Sequence, residues 1–140
     1  FDNDIGDNDT VNIAIVTYGY ETDDENYYPH PKNIQIHNNR FTKSGLNPDL
    51  QTGELAKILF ELSEGDMPDI FWDGIIPLKQ MIFGQPTNEK IVLNKNGNAT
   101  FLTINPIKYV LPFFDPVETN SEEYSGEINP LPPVTFSEEL

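Results

Sequence analysis

Two short stretches restrict the fold of this chain more than any other feature. Val11 to Val16 alternates, with Val11, Ile13 and Ile15 on one face and Asn12 and Ala14 on the other. That is the period of a half-buried strand. Asn33 to Phe41 repeats the pattern, with Ile34 and Ile36 pointing inward, Gln35 and His37 outward, and Asn38-Asn39 turning the chain before Phe41. Asparagine tolerates the left-handed backbone and bonds its own neighbours, so it suits a tight corner between short strands. Phe1 to Ile5 matches what would follow an equivalent corner one pass earlier. Phe1 and Phe41 stand about 40 residues apart, and setting aside 17–32 leaves about 24, within the span of a stacked repeat.

The remaining segments read as additions to that repeat. Residues 17–32 form a polar, aromatic, proline-punctuated lateral loop on terminal coils spanning 1–46. Over 47–66 the spacing predicts an amphipathic capping helix, with Leu55, Ile58, Leu59 and Leu62 as its apolar stripe. Asn47 and Pro48 suit its start, Gly65 and Pro68 its end, and Gly53 delays the first regular turn. Over 67–114 a short apolar strand at Ile70 to Trp72 precedes a β-hairpin cap around Asn96-Gly97. From 115 to 140 the chain is acidic and proline-rich, as an extended tail draped over the body would be. An open strand edge must be covered, and a hairpin, a helix and a tail are suited to covering one. The fold expected is mainly β: the last coils of a right-handed parallel β-helix with a capping helix, a hairpin and an extended tail. Because Phe1 falls inside a patterned segment, the chain reads as part of a longer protein.

Charge excludes several partners. The 23 acidic residues against 8 basic ones give a net charge of −15. The lysines and the single arginine are scattered, so no set of cations converges on phosphates, and nucleic-acid binding is excluded. Anionic membranes and polyanionic sugars are disfavoured for the same reason. No apolar run approaches the ~18 residues that span a bilayer. The absence of cysteine removes disulfides, zinc–thiolate sites and thiol catalysis, and leaves the compartment open.

The segments NIAIVTYGY, PHPKNIQIHNNRF, IFWDGII, KNGNATFLTI and PLPPVTF occur in an order that resembles the C-terminal portion of a bacterial family of parallel β-helix repeat proteins. Trp72-Asp73-Gly74, the Asn96-Gly97 turn and the proline-rich end carry most of the likeness. The resemblance implies a secreted or periplasmic protein, lipid-anchored in some members, with a c-type cytochrome as a candidate partner. It implies no catalytic residues. Related tails often carry cysteine near the position of Ser125-Gly126-Glu127, and this chain has none.

Three groups of side chains invite a chemical reading. Asp2, Asp4, Asp7 and Asp9 put four carboxylates in one short run. Calcium takes six to eight hard oxygens, so the run reads either as a calcium loop or as solvated turns; it matches no EF-hand pattern. Tyr18, Tyr20, Tyr27 and Tyr28 lie in or beside the lateral loop, where rings stack against sugars or pack the loop onto the wall. His37 and Arg40 follow on the adjoining segment, and with those tyrosines they complete a candidate ligand groove. His30 and His37 are the only histidines, HExxH is absent, and no serine sits in a G-x-S-x-G elbow.

Two functions are consistent with these features. One is a non-catalytic binding scaffold for a partner protein or a surface glycan. The other is a polysaccharide lyase, epimerase or hydrolase whose groove lies on upstream coils. The scarcity of cations able to neutralise a uronate favours the scaffold. Convergence of His37, Arg40 and a tyrosine hydroxyl beside a carboxylate would favour the enzyme.

Overall fold

The computed structural model describes residues 1–19, 23–111 and 113–128. The eight strands among the described residues are short because each apolar alternation is cut after two to four residues by a polar corner. In chain order they are β1 (Asp4–Ile5), β2 (Ile13–Ile15), β3 (Gln35–His37), β4 (Arg40–Phe41), β5 (Ile70–Trp72), β6 (Val92–Asn94), β7 (Phe101–Ile104) and β8 (Val117–Glu118). Three helices join them: α1 (Glu54–Leu62), α2 (Leu78–Phe83) and α3 (Pro106–Tyr109).

Strand pairing is parallel except at one end. β1 pairs with β4, β3 with β6, and β2, β5 and β7 form a parallel run that β8 closes in antiparallel fashion. The chain thus visits three small sheets in turn before returning to the largest. β5 and β7 are buried on both faces. Ile70, Trp72 and Phe101 join Ile15, Ile36, Ile91 and Leu93 in one core, between the large sheet and the β3–β6 pair. Phe71 and Leu102 face the other way, against Leu59 and Met67. Near-continuous apolar runs are what strands covered on both sides require.

Amide side chains fix the order of the passes. Asn3 donates through its backbone N–H (3.1 Å) and its amide (3.2 Å) to the Asn39 side-chain oxygen. Asn39 donates from its amide to the Asn96 oxygen (3.2 Å), and Asn96 donates to the Ile36 carbonyl (2.8 Å). A second chain of contacts runs from Asn12 to the buried Asp69 carboxylate (2.8 Å), which also accepts from the Thr100 N–H (2.9 Å). Each link joins one pass of the chain to the next, and the buried members lose no hydrogen bond to water.

Several expectations need correction. A right-handed parallel β-helix is not shown, because the strands lie in three separate small sheets of two to four strands and none is a closed or solenoid sheet. Ile13 and Ile15 do not stack on Ile34 and Ile36: β2 registers with Ile70–Trp72, and β3 registers with Val92–Asn94. The physical reason is that long inserts, the 17–32 loop, α1 and α2 among them, interrupt every pass. The Asn96-Gly97 hairpin is also absent, since β6 and β7 belong to different sheets. Lys95 and Gly97 take positive φ there, and the Asn96 amide is engaged with its neighbouring pass, so the turn is a corner between sheets.

The helix starts at Glu54 with Gly53 as its cap, so 47–53 lies outside it. Asp49 organises that approach: its carboxylate accepts from the N–H groups of Gln51 (3.0 Å) and Thr52 (2.9 Å) and from the Thr52 hydroxyl. These bonds hold its carboxyl down at about 2. The buried face of α1 is Ala56 and Leu59, while Leu55 and Ile58 of the expected stripe are exposed. The tail is not simply extended: β8 joins the sheet, and a 3₁₀ turn occupies Ser121–Tyr124. Pro130, Pro132 and Pro133 lie outside the described residues.

Asn39→Ala removes the oxygen that accepts both Asn3 bonds and the buried amide that donates to Asn96. It is expected to cost about 1–3 kcal/mol in chemical denaturation, against about zero for Asn98→Ala at the exposed corner. Equal effects would show that the amide stack does not hold the passes together.

Candidate docking face

Pro77 and Gly84 bracket the hexamer LKQMIF and confine it to the short helix α2, with Gly84 at a φ of 89° as its stop. None of the six residues is buried. Leu78 and Ile82 are exposed, and Phe83 is 79% exposed. α3 begins under an Asn105 cap, whose side chain accepts from the Ile107 (3.1 Å) and Lys108 (3.2 Å) N–H groups. It too buries nothing, and Tyr109, Val110 and Phe113 (91%) follow it into solvent. The two helices flank one cavity of about 200 Å³, which Gln80, Met81, Pro106, Ile107 and Tyr124 help line. Ile107 is the exposed apolar residue of this lining, while Leu78, Ile82, Phe83, Tyr109, Val110 and Phe113 lie on or just beyond the helices that flank it. Apolar patches of this kind mark interaction surfaces.

The wall of that cavity is built from the core outward. Trp72 meets the Tyr124 ring edge-on at 5.6 Å between centroids, and Phe101 meets the same ring at 5.0 Å. Burial, more than the nearby Glu118 and Glu123 carboxylates, pushes the Tyr124 hydroxyl up to about 12. The Trp72 indole N–H is buried with no hydrogen-bond partner among the described residues. Beyond the Trp72–Tyr124 pair lies a second cleft of about 540 Å³, lined by Gln35, Gln85, Asn88, Lys90 and Glu127 among others.

Glu118 accepts from Lys108 Nζ (2.9 Å) and from the Asn105 amide (3.1 Å), tying β8 to α3. The hydrogen bond from Lys108 holds the Glu118 carboxyl below its ordinary value, and the same bond raises Lys108. A carboxylate held ionised and engaged by two donors is a clamp rather than a general acid.

Among the described residues, several of the ligand residues expected from the sequence have contacts of their own. Arg40 pairs with Asp4 at 2.5 Å on the exposed surface. His37 stacks against Phe1, with ring centroids 4.8 Å apart. Lys32 Nζ sits 4.2 Å from the centroid of the Tyr28 ring, which also meets His30 edge-on. Tyr27 donates its hydroxyl to the Tyr18 carbonyl, folding the loop on itself. Tyr20 lies outside the described residues. His37 and Arg40 are thus engaged with different partners, without the convergence an active cleft needs.

The aspartates of the expected calcium loop are similarly dispersed. Asp4 faces Arg40, Asp7 accepts from the Thr42 hydroxyl (3.3 Å), and Asp2 and Asp7 take positive φ. Among the described residues, no group of three or more His, Asp or Glu side chains is arranged to hold a metal ion. A groove of about 610 Å³ between the end of α1 and residues 115–121 is acid-lined, by Glu61, Glu64, Asp66 and Asp115. Among the described residues, no helix is long and apolar enough to cross a membrane.

Sequence reasoning missed the α2–α3 face because it assigned 67–114 to a strand and a hairpin. The signal was present: an apolar hexamer between a proline and a glycine, followed by a run containing Tyr109, Val110 and Phe113. No family model, no curated protein and no solved structure matches the chain.

Tyr124 is expected to be the last of the described tyrosines to ionise, near pH 12 in an ultraviolet titration. A folded value above the unfolded one of 10.0 means that its contribution to stability is complete below pH 10 and is lost as pH rises through 12. Thermal melts should weaken over that window in the parent more than in Tyr124→Phe. Identical profiles would show that this ring is not buried against Trp72.

Proposed function

We propose that the chain is a non-catalytic binding module that docks a partner protein through the α2–α3 face. The observation that carries the reading is a pair of short helices with no buried residue that both line one cavity, with Leu78, Ile82 and Phe83 exposed on the first and Phe113 exposed beyond the second. Aromatic and aliphatic anchors around a depression form the kind of surface in which a few residues dominate the binding energy. The chain's charge of −15, with Glu89 and Asp115 close to this face, selects a partner whose contact is apolar at the centre and basic at the rim.

The surface glycan and the c-type cytochrome that came with the resemblance enter as candidate partners, and the apolar face favours a protein over a sugar. Against catalysis stand the engaged Glu118, a tyrosine that stays neutral to about pH 12, and the engagement of His37 by Phe1 and of Arg40 by Asp4.

The test compares quantitative cross-linking capture by the parent with capture by Phe83→Ser/Phe113→Ser, and then reconstitutes the enriched partner. The double variant is expected to weaken the purified complex by at least about 30-fold, as loss of ~2 kcal/mol of hot-spot contact implies. Rising salt should weaken it further. A complex of unchanged affinity in the double variant would end the proposal.

A further inference from the structure

Hydrogen bonding is left incomplete at one place in the molecule more than at any other. Five buried side-chain polar atoms have no hydrogen-bond partner among the described residues. Three of them, Trp72 Nε1, Gln80 Oε1 and Thr103 Oγ1, belong to residues that line the cavity of about 200 Å³ between α2, α3 and the large sheet. Native chains leave few buried groups unmatched, so three around one space call for an occupant with polar atoms of its own.

The three atoms differ in what they offer. Trp72 is 6% exposed, and its indole N–H can only donate. The Gln80 amide is oriented by Glu89, to which its Nε2 donates at 2.5 Å, and Glu89 is not part of the cavity lining. Its Oε1, which can only accept, is therefore turned away from Glu89. Thr103 is 1% exposed, and its hydroxyl lies by the Tyr124 oxygen without closing a bond of ordinary geometry. Trp72 also lines the larger cleft beyond Tyr124, but only the smaller cavity adds an unmatched acceptor to its donor.

The rest of the lining narrows the choice. Ile76, Met81, Ile104, Pro106 and Ile107 supply an apolar wall. Glu118 is the one acid in the lining, and it already accepts from Lys108 and Asn105. A charged ligand would find no free counter-ion here, and a wholly apolar one would leave the polar atoms unmatched. A cavity of ~150 Å³ takes benzene, so one of about 200 Å³ takes a body of that size with a small polar group attached. From the unmatched donor and acceptor in one small, apolar-walled cavity, we infer that it binds a compact, uncharged primary amide as a free molecule. The amide carbonyl accepts from Trp72, its NH₂ donates to Gln80, and its apolar body lies on the wall. Such a site needs no partner protein, so it stands or falls separately from the docking face.

Trp72 is the only tryptophan, so its indole N–H gives a single resonance in a nitrogen–proton correlation spectrum. Benzamide is expected to shift that resonance with a dissociation constant of about 1 mM, ordinary for a ligand of its size. Acetophenone keeps the acceptor and lacks the donor, and benzoate keeps the shape and adds a charge. Both should bind at least about tenfold more weakly. In Gln80→Met, benzamide should fall to the level of acetophenone while acetophenone is unchanged, a difference that a merely structural role for Gln80 would not produce. A Trp72 resonance unmoved by benzamide at tens of millimolar would leave the cavity to water and overturn the inference. Benzyl alcohol binding as tightly as benzamide would overturn the choice of an amide. Tighter binding of a capped glutamine, acetylated and N-methylamidated, would move the amide to a partner's side chain and overturn the choice of a free molecule. If Gln80→Met fails to fold, the comparison of probes on the parent still decides the question.

Discussion

The strand Ile70–Trp72 is the element on which the rest of the structure depends. It has a parallel neighbour on each side, β2 and β7, and its three residues are all buried. Ile70 and Trp72 enter one core while Phe71 enters the other, so this tripeptide, like Phe101–Leu102 beside it, joins the two apolar clusters. Polar support is concentrated beside it. Asp69 holds Thr100 and Asn12, and the Asp73 carboxylate accepts from Thr17 and Ile75 on the other side. Gly74 completes the exit: a Cβ there would lie 1.8 Å from the Ile104 carbonyl oxygen, and the backbone takes a φ of 70°. Only glycine satisfies both demands.

From this strand outward the molecule becomes less symmetrical. On the β7 side the chain finishes the sheet with β8 and clamps it through Lys108, Glu118 and Asn105. On the β2 side the sheet ends, among the described residues, at a strand paired with β5 alone. The apolar surface is equally uneven, since α1 places Leu59 in the core while α2 and α3 hold every residue at the surface. A chain of this acidity keeps its apolar contacts with partners local and lets charge select among them.

Much of the strand content was legible in the sequence. The alternation at Ile13 and Ile15, the inward Ile36 and the buried IFW tripeptide are all in place. What could not be read was which strand pairs with which. Period-two patterning fixes the face a residue points to but carries no information on its neighbour, and the inserts between passes change the spacing each time. Asn38-Asn39 was legible as a corner, and Asn38 does take a positive φ of 55°. Asn96-Gly97 gave the local signature of a hairpin, yet tertiary pairing overrode it. The α1 stripe held in part: Leu59 is buried and Leu62 packs beside it, but Ala56 is buried while Leu55 and Ile58 are exposed, because a short helix against a sheet buries a narrow strip. Site residues were the least legible. Tyrosines, His37 and Arg40 stood out by chemistry, whereas the exposed helices were apolar and looked like core.

Native-state hydrogen exchange tests the central role of β5 most directly. The amides of Ile70 to Asp73 are expected to exchange only through global unfolding, with one common free energy shared by Phe101 to Thr103, while those of β1 open at far lower cost. Exchange in Ile70 to Asp73 as fast as in Asp4 and Ile5 would contradict the account.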